Sequence, residues 1–129
     1  MNHRIFYLIG VVSLGPLAAP AMAAPDGKAL FAANCAACHQ PEGQGIAGAF
    51  PALAKSKFVV GDPKVVAATV LNGRGGMPAF RDSLKDDELS ATLSFVRANW
   101  GNKAPAIPAQ TFAAVRTGKI KTDRPMPVH

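Results

Sequence analysis

The sequence predicts a small all-α domain. Three observations carry this. Two segments open with helix-start chemistry: Asp26 ahead of Lys28–Asn34, and Asp62-Pro63 ahead of Lys64–Asn72. A third segment, residues 86–99, carries Leu89, Leu93 and Val96 at helical spacing. The glycine- and proline-rich stretches between them lack the alternation a strand requires.

Taken in order, the first helix starts near Asp26. Ala29, Leu30 and Ala33 share one face, and Phe31 with Cys35 extends the stripe. Residues 41–48 hold Pro41, Gly43, Gly45 and Gly48 and form an irregular loop. Phe50-Pro51-Ala52-Leu53 is a short apolar patch that Pro51 bars from a helix. The next helix has Asp62 at its N-cap, Pro63 at its first position and Gly73 just past its end. Its Val65, Val66, Thr69 and Val70 also suit a strand, but the start and stop signals favour helix. Gly73 to Pro78 is a tight loop. The last long helix begins with Asp86, Asp87 and Glu88, which suit the positive end of the helix dipole, and Trp100 extends its apolar stripe. Trp100 reads as core or interface packing, with a place on an electron exit route as the alternative. Beyond Asn102, Thr111–Arg116 makes one or two helical turns, and Thr122–His129 is expected to be extended or disordered.

Cys35-Ala36-Ala37-Cys38-His39 has the form C-x-x-C-H, the attachment motif of c-type haem. Two thiols three residues apart on one helical turn can each add to a vinyl group of one porphyrin. The adjacent histidine then falls under the iron as an axial ligand. No other cysteine exists in the chain, so no further disulfide or thiolate metal site competes. A zinc site would need a second Cys or His pair, and beyond residue 23 only His39 and His129 are present. A thioredoxin-like disulfide would need a βαβ context, which is missing around residue 35.

Residues 1–23 have the form of a secretory signal peptide. Arg4 supplies the charged start, Ile5–Ala19 the apolar run and Ala21-Met22-Ala23 the cleavage site, so the exported chain begins at Ala24. An uncleaved membrane anchor is the alternative. The run falls short of the roughly 20 apolar residues a spanning helix needs, and Gly10, Gly15 and Pro16 interrupt it. The domain plan is therefore a signal peptide at 1–23, a haem domain at 24–102 and a basic, proline-containing extension at 103–129. Residues 24–102 are nearly balanced, with eight Lys/Arg against seven Asp/Glu. Residues 103–129 carry five Lys/Arg against Asp123 alone. Such a tail suits an acidic protein or membrane surface, or is merely solvated; export argues against nucleic acid.

The other face of the iron needs a ligand, water or nothing. Met77 is the favoured candidate. It lies among glycines and a proline, outside any periodic apolar run, which makes it a poor core residue and a free thioether. Met126, His129 and the lysines are its rivals. Iron held by His39 and Met77 has no open position for substrate, and a neutral thioether favours the ferrous state. Such a site suits outer-sphere electron transfer.

These residues together resemble a class I cytochrome c over 26–102. The likeness rests on Cys35–His39, Phe50-Pro51-Ala52-Leu53, Gly73–Pro78 and Asn99-Trp100-Gly101-Asn102. The ending is similar to cytochrome c domains of bacterial alcohol dehydrogenase cytochrome subunits and of copper nitrite reductase fusions. The resemblance implies a cytochrome c fold of three to five helices around one covalently bound haem c. It implies thioethers at Cys35 and Cys38, His39 as the proximal ligand and Met77 as the distal one. It also implies that the Pro51 carbonyl holds the histidine Nδ1–H, and that the first and last long helices cross, with Gly27 and Phe31 against Phe95. One departure stands out. Only three residues separate Leu71-Asn72-Gly73 from Met77-Pro78, fewer than in the related domains, which leaves more haem edge exposed or for a partner to cover.

The expected function is that of a periplasmic one-electron carrier, with no enzyme activity and no small-molecule substrate. Its partners are redox proteins: a dehydrogenase or respiratory complex as donor, an oxidase or reductase as acceptor. The alternative is a dedicated electron-transfer subunit of a larger oxidoreductase, docked through the 103–129 tail. A five-coordinate haem sensor or enzyme, and a haem-free thiol oxidoreductase, are the remaining readings.

Overall fold

The computed structural model describes residues 23–121. The expected signal peptide, apart from its last residue, and the rival ligands Met126 and His129 lie outside the described residues. Five helices form: α1 (Gly27–Asn34), α2 (Ala36–His39), α3 (Pro63–Asn72), α4 (Asp86–Ala98) and α5 (Ala109–Arg116). Among the described residues there is no strand, only two isolated bridges, Ile46 with Phe50 and Arg74 with Met77. No helix among them is long and apolar enough to cross a membrane.

The helices begin where the capping chemistry places them. Asp26 Oδ1 accepts from the backbone N–H of Lys28 and Ala29 at 2.9 and 3.2 Å. Asp62 Oδ1 does the same for Lys64 at 2.9 Å, with Pro63 as the first helical residue. At α4 the Glu88 carboxylate reaches back to the Lys85 N–H at 2.8 Å, and three acidic residues occupy the first turn. The far end of α4 stops one residue short of expectation. Asn99 is extended and its side-chain amide donates to the Phe95 carbonyl at 2.7 Å. Trp100 then takes a φ of 53°. Its indole packs on Phe31 and Phe95 with centroids 4.9 and 5.3 Å away, which makes it a core residue.

The interior has two apolar clusters. The larger joins Val66, Ala67 and Leu71 of α3 to Leu89 and Leu93 of α4, with Phe80, Ile107, Phe112 and Val115. The smaller is built on Phe31, Val59 and Val96, with Cys35, Ala36, Leu53, Phe95 and Trp100 packed against it. Helix α4 serves both, its first half facing one cluster and its second half the other. α1 crosses α4 at Gly27, where a Cβ would lie 2.2 Å from the Ala91 carbonyl oxygen. Close helix approach is what this glycine provides. The Phe31 and Phe95 rings pack 6.0 Å apart beside it.

The segment beginning at residue 103 is, over its described part, integral to the larger cluster. Ile107 and Phe112 are fully buried and Val115 nearly so. The helix starts at Ala109, two residues earlier than expected, because Pro108 stands outside it as the N-cap and its carbonyl accepts from the Thr111 N–H at 2.9 Å. Phe112 and Val115, three residues apart, form a short apolar stripe that α3 and α4 cover. The prolines and positive charges around it outweigh that stripe in the sequence.

Two buried polar residues brace the clusters. Arg97 is 3% exposed and has no carboxylate partner among the described residues. Its guanidinium donates to the carbonyls of Pro105, at 2.8 Å, and of Val59 and Gly61; burial lowers its pKa. Asn102 donates to the carbonyls of Leu53 and Val96 at 2.8 and 2.9 Å and accepts from the Ser56 N–H at 3.0 Å.

Gly27→Ala is expected to destabilise the protein by about 1–3 kcal/mol by forcing α1 off α4. Chemical denaturation should show a lower midpoint at an unchanged slope. In the same measurement Arg97→Met, which leaves three carbonyls without their donor, is expected to cost about 2–4 kcal/mol.

Candidate haem site

Cys35, Cys38 and His39 come together on one turn. Cys35 closes α1 and opens α2, and its carbonyl accepts from the N–H groups of both Cys38 and His39, at 3.2 and 2.9 Å. Neither cysteine is in a disulfide. Burial, and then the charge of Cys38, push the Cys35 thiol up to about 11, so it is protonated at neutral pH.

His39 is 8% exposed. The chain after it turns back through Gln40 and the glycine-rich loop. Gly45 N–H donates to the His39 carbonyl at 2.9 Å, and Ile46 and Phe50 exchange backbone hydrogen bonds at 2.8 Å each. The Leu53 and Ala54 N–H groups both donate to the Gly43 carbonyl, at 2.7 and 2.9 Å. This folding delivers the Pro51 carbonyl to His39 Nδ1 at 2.9 Å. A carbonyl oxygen can only accept, so Nδ1 carries a proton, and in the neutral ring this leaves the lone pair on Nε2. The contact expected for Pro51 is therefore present, and it leaves the far ring nitrogen of His39 free of this hydrogen bond.

Met77 lies on the other side of the sequence, in the loop between α3 and α4. Arg74 and Met77 close a tight turn, with Met77 N–H on the Arg74 carbonyl at 2.9 Å and the reverse bond at 3.2 Å. Gly73 makes the return possible. Its φ is 73°, and a Cβ would lie 2.6 Å from the Met77 carbonyl oxygen. After the turn, Phe80 and Arg81 N–H groups donate to the Val70 and Leu71 carbonyls at 3.1 and 3.2 Å. The loop is thus pinned to the end of α3, and Met77 packs against the larger cluster.

The residues fit a haem. His39 offers a lone pair on a fixed ring, and Cys35 and Cys38 are both unbonded. Met77 belongs to one apolar cluster while Cys35 and Ala36 belong to the other. Large apolar side chains on the adjoining segments are open to solvent: Ile46 and Phe50 beside Pro51, and Phe58, 40% exposed, under the Arg74 guanidinium 5.6 Å from its ring. Apolar surface of this kind suits a large apolar group. Sequence reasoning missed Arg97 altogether. It noted Asn102 only as part of a resemblance, without its role of tying Leu53 and Ser56, just past Pro51, to α4.

Residues 22–96 match the family model described as cytochrome C oxidase, cbb3-type, subunit III. A cytochrome c-552 of Thermus thermophilus is 31% identical, covering 93% of this chain and 88% of that protein. Cytochrome c6 of Leptolyngbya boryana is 41% identical over 57% of this chain and 88% of its own length. The alcohol dehydrogenase (quinone) cytochrome c subunit of Gluconobacter oxydans is 32% identical over 74% of this chain. The chain spans only 22% of that subunit's length. With this match and these relatives, the chain belongs to the class I monohaem c-type cytochromes. Its cofactor is a covalently bound c-type haem.

Gly73→Ala is expected to destabilise the fold by about 1–3 kcal/mol, since the new Cβ meets backbone at a positive φ. Thermal unfolding should show the lowered midpoint. Hydrogen exchange at the Phe80 and Arg81 amides should quicken more than at the α1 amides.

Proposed function

We propose that Cys35 and Cys38 hold the haem through thioethers, that His39 Nε2 and the Met77 sulfur are its two axial ligands, and that the chain shuttles single electrons in the periplasm. The observation that carries this reading is the Nδ1–H of His39 on the Pro51 carbonyl at 2.9 Å. When bound, the haem supplies a one-electron Fe(III)/Fe(II) couple. His39 contributes a ring whose tautomer and plane are set before the ligand bond forms, and the polarised Nδ1–H raises the basicity of Nε2. Met77 contributes a neutral sulfur on a loop pinned to α3, which favours the reduced state. With His39 and Met77 both holding the iron, no position on it would be left for a substrate. Small reorganisation and brief, electrostatically guided association follow.

The donor is a dehydrogenase or respiratory complex and the acceptor an oxidase or reductase. The alcohol dehydrogenase and gluconate 2-dehydrogenase cytochrome subunits among the relatives favour a dehydrogenase on the donor side. They also favour the second reading, a dedicated subunit of a larger complex. In that case the strap is shorter than residues 103–129, because Ile107, Phe112 and Val115 are already committed to the chain's own core.

The test is spectroscopic. The pigment should stay on the chain under denaturing conditions and give a c-type pyridine haemochrome. The oxidised protein should show the weak far-red band of methionine-ligated haem. Met77→Ala should lose that band and lower the midpoint potential, while His39→Ala should fail to accumulate the pigment. A pigment extracted by acidified solvent, or a band that persists in Met77→Ala, overturns the assignment. Amino-terminal sequencing of the exported protein should begin at Ala24.

A further inference from the structure

The end of α5 is bound to the chain leaving the Met77 loop by a reciprocal pair of arginines. Arg81 Nη1 donates to the Arg116 carbonyl at 3.0 Å, and its Nη2 donates to Asn72 Oδ1 at 2.7 Å. Arg116 returns the contact, with Nη1 donating to the Arg81 carbonyl. Its Nη2 also reaches the Leu84 carbonyl at 3.2 Å, and Nε and Nη2 both hold Asp86 Oδ1, at 3.0 and 2.9 Å. The ion pair with Asp86 is about a quarter exposed on each side, so as a charge pair alone it contributes little. Its importance is geometric. One guanidinium fixes three points of the segment between Met77 and α4, at Arg81, Leu84 and Asp86. The other ties that segment to the last residue of α3.

The loop carrying Met77 is therefore held at both ends. Before the methionine, Gly73 and the Arg74–Met77 turn fold it onto α3. After it, Phe80 is buried in the larger cluster, and four residues past Met77 the clasp begins. We propose that Arg116 and Arg81 are positioning residues for the Met77 sulfur, and that α5 thereby sets how readily that ligand leaves the iron. This rests on the reading of Met77 as an axial ligand. A ligand from solution binds only to the fraction of molecules in which the sulfur has moved away. Its apparent affinity thus reports the population of the open loop.

The experiment is titration of the ferric holoprotein with imidazole, followed through loss of the far-red band and the Soret shift. Arg116→Ala is expected to bind imidazole about tenfold more tightly than the wild type, the effect of losing charge-assisted hydrogen bonds that hold the closed loop. Arg116→Lys keeps the charge but not the fork and should fall between. Arg81→Gln leaves the α5 helix intact and should also tighten binding; it decides the matter should Arg116→Ala not accumulate. Asp26→Ala, which removes the α1 cap far from this loop, should lower overall stability and leave imidazole affinity unchanged. Unchanged affinity in Arg116→Ala and Arg81→Gln overturns the proposal, as does an equal gain in Asp26→Ala, which marks general loosening. Met77→Ala separates the two readings. It should bind imidazole far more tightly than every other variant. If it binds like the wild type, the assignment of Met77 fails and the positioning role falls with it.

Discussion

A single hydrogen bond, from His39 Nδ1 to the Pro51 carbonyl, organises the site. It is an interaction between a four-residue helix and a loop with no regular structure, so neither partner holds itself in place. α2 is held by continuity with α1 through Cys35, and α1 is held by its close crossing of α4 at Gly27. The loop is held by its paired bonds onto the Gly43 carbonyl and by Asn102, whose amide bridges Leu53 to the end of α4. Two of these supports, the crossing at Gly27 and the Asn102 bridge, lead back to α4. The His39 ring is thus oriented through a chain of contacts that ends on the Ala91–Val96 stretch of the longest helix.

That helix also explains how two separate clusters act as one domain. Leu89 and Leu93 commit its first half to the cluster it shares with α5 and α3, and Val96 commits its second half to the cluster it shares with α1. Buried polar groups join the halves where apolar contact ends. Arg97 faces three carbonyls and, among the described residues, no carboxylate, so it satisfies backbone acceptors and carries a charge that burial makes costly. The gain is mechanical, since one side chain holds the 59–61 segment and the approach to α5 against the same helix.

Much of this is legible in the sequence because it is local. Asp26, Asp62-Pro63 and Gly73 mark helix ends by chemistry confined to a few residues, and the structure puts α1 and α3 there. The stripe of Leu89, Leu93 and Val96 identifies the buried face of α4. The cysteine pair and its histidine read as a unit because one helical turn brings them together. The Pro51 and Gly27 contacts are reached through resemblance alone, since nothing in the spacing of His39 and Pro51 says that the loop returns. What the sequence hides is long-range. The acceptors of Arg97 lie up to 38 residues away along the chain, and those of Arg116 up to 35. No periodicity announces them. α5 is undervalued for a related reason: its stripe is two residues long, and only the presence of α3 and α4 makes it a core element.

The position of α5 after the other helices orders events during synthesis. The chain emerges from its amino terminus, so the thiols at residues 35 and 38 are available while most of the partners of α4 are still missing. The larger cluster closes only when Phe112 and Val115 arrive, well after the cysteines have emerged. Cys35, by contrast, packs on the smaller cluster, whose last member to emerge is Trp100, so the cysteine side of the domain is complete in sequence before the α5 side.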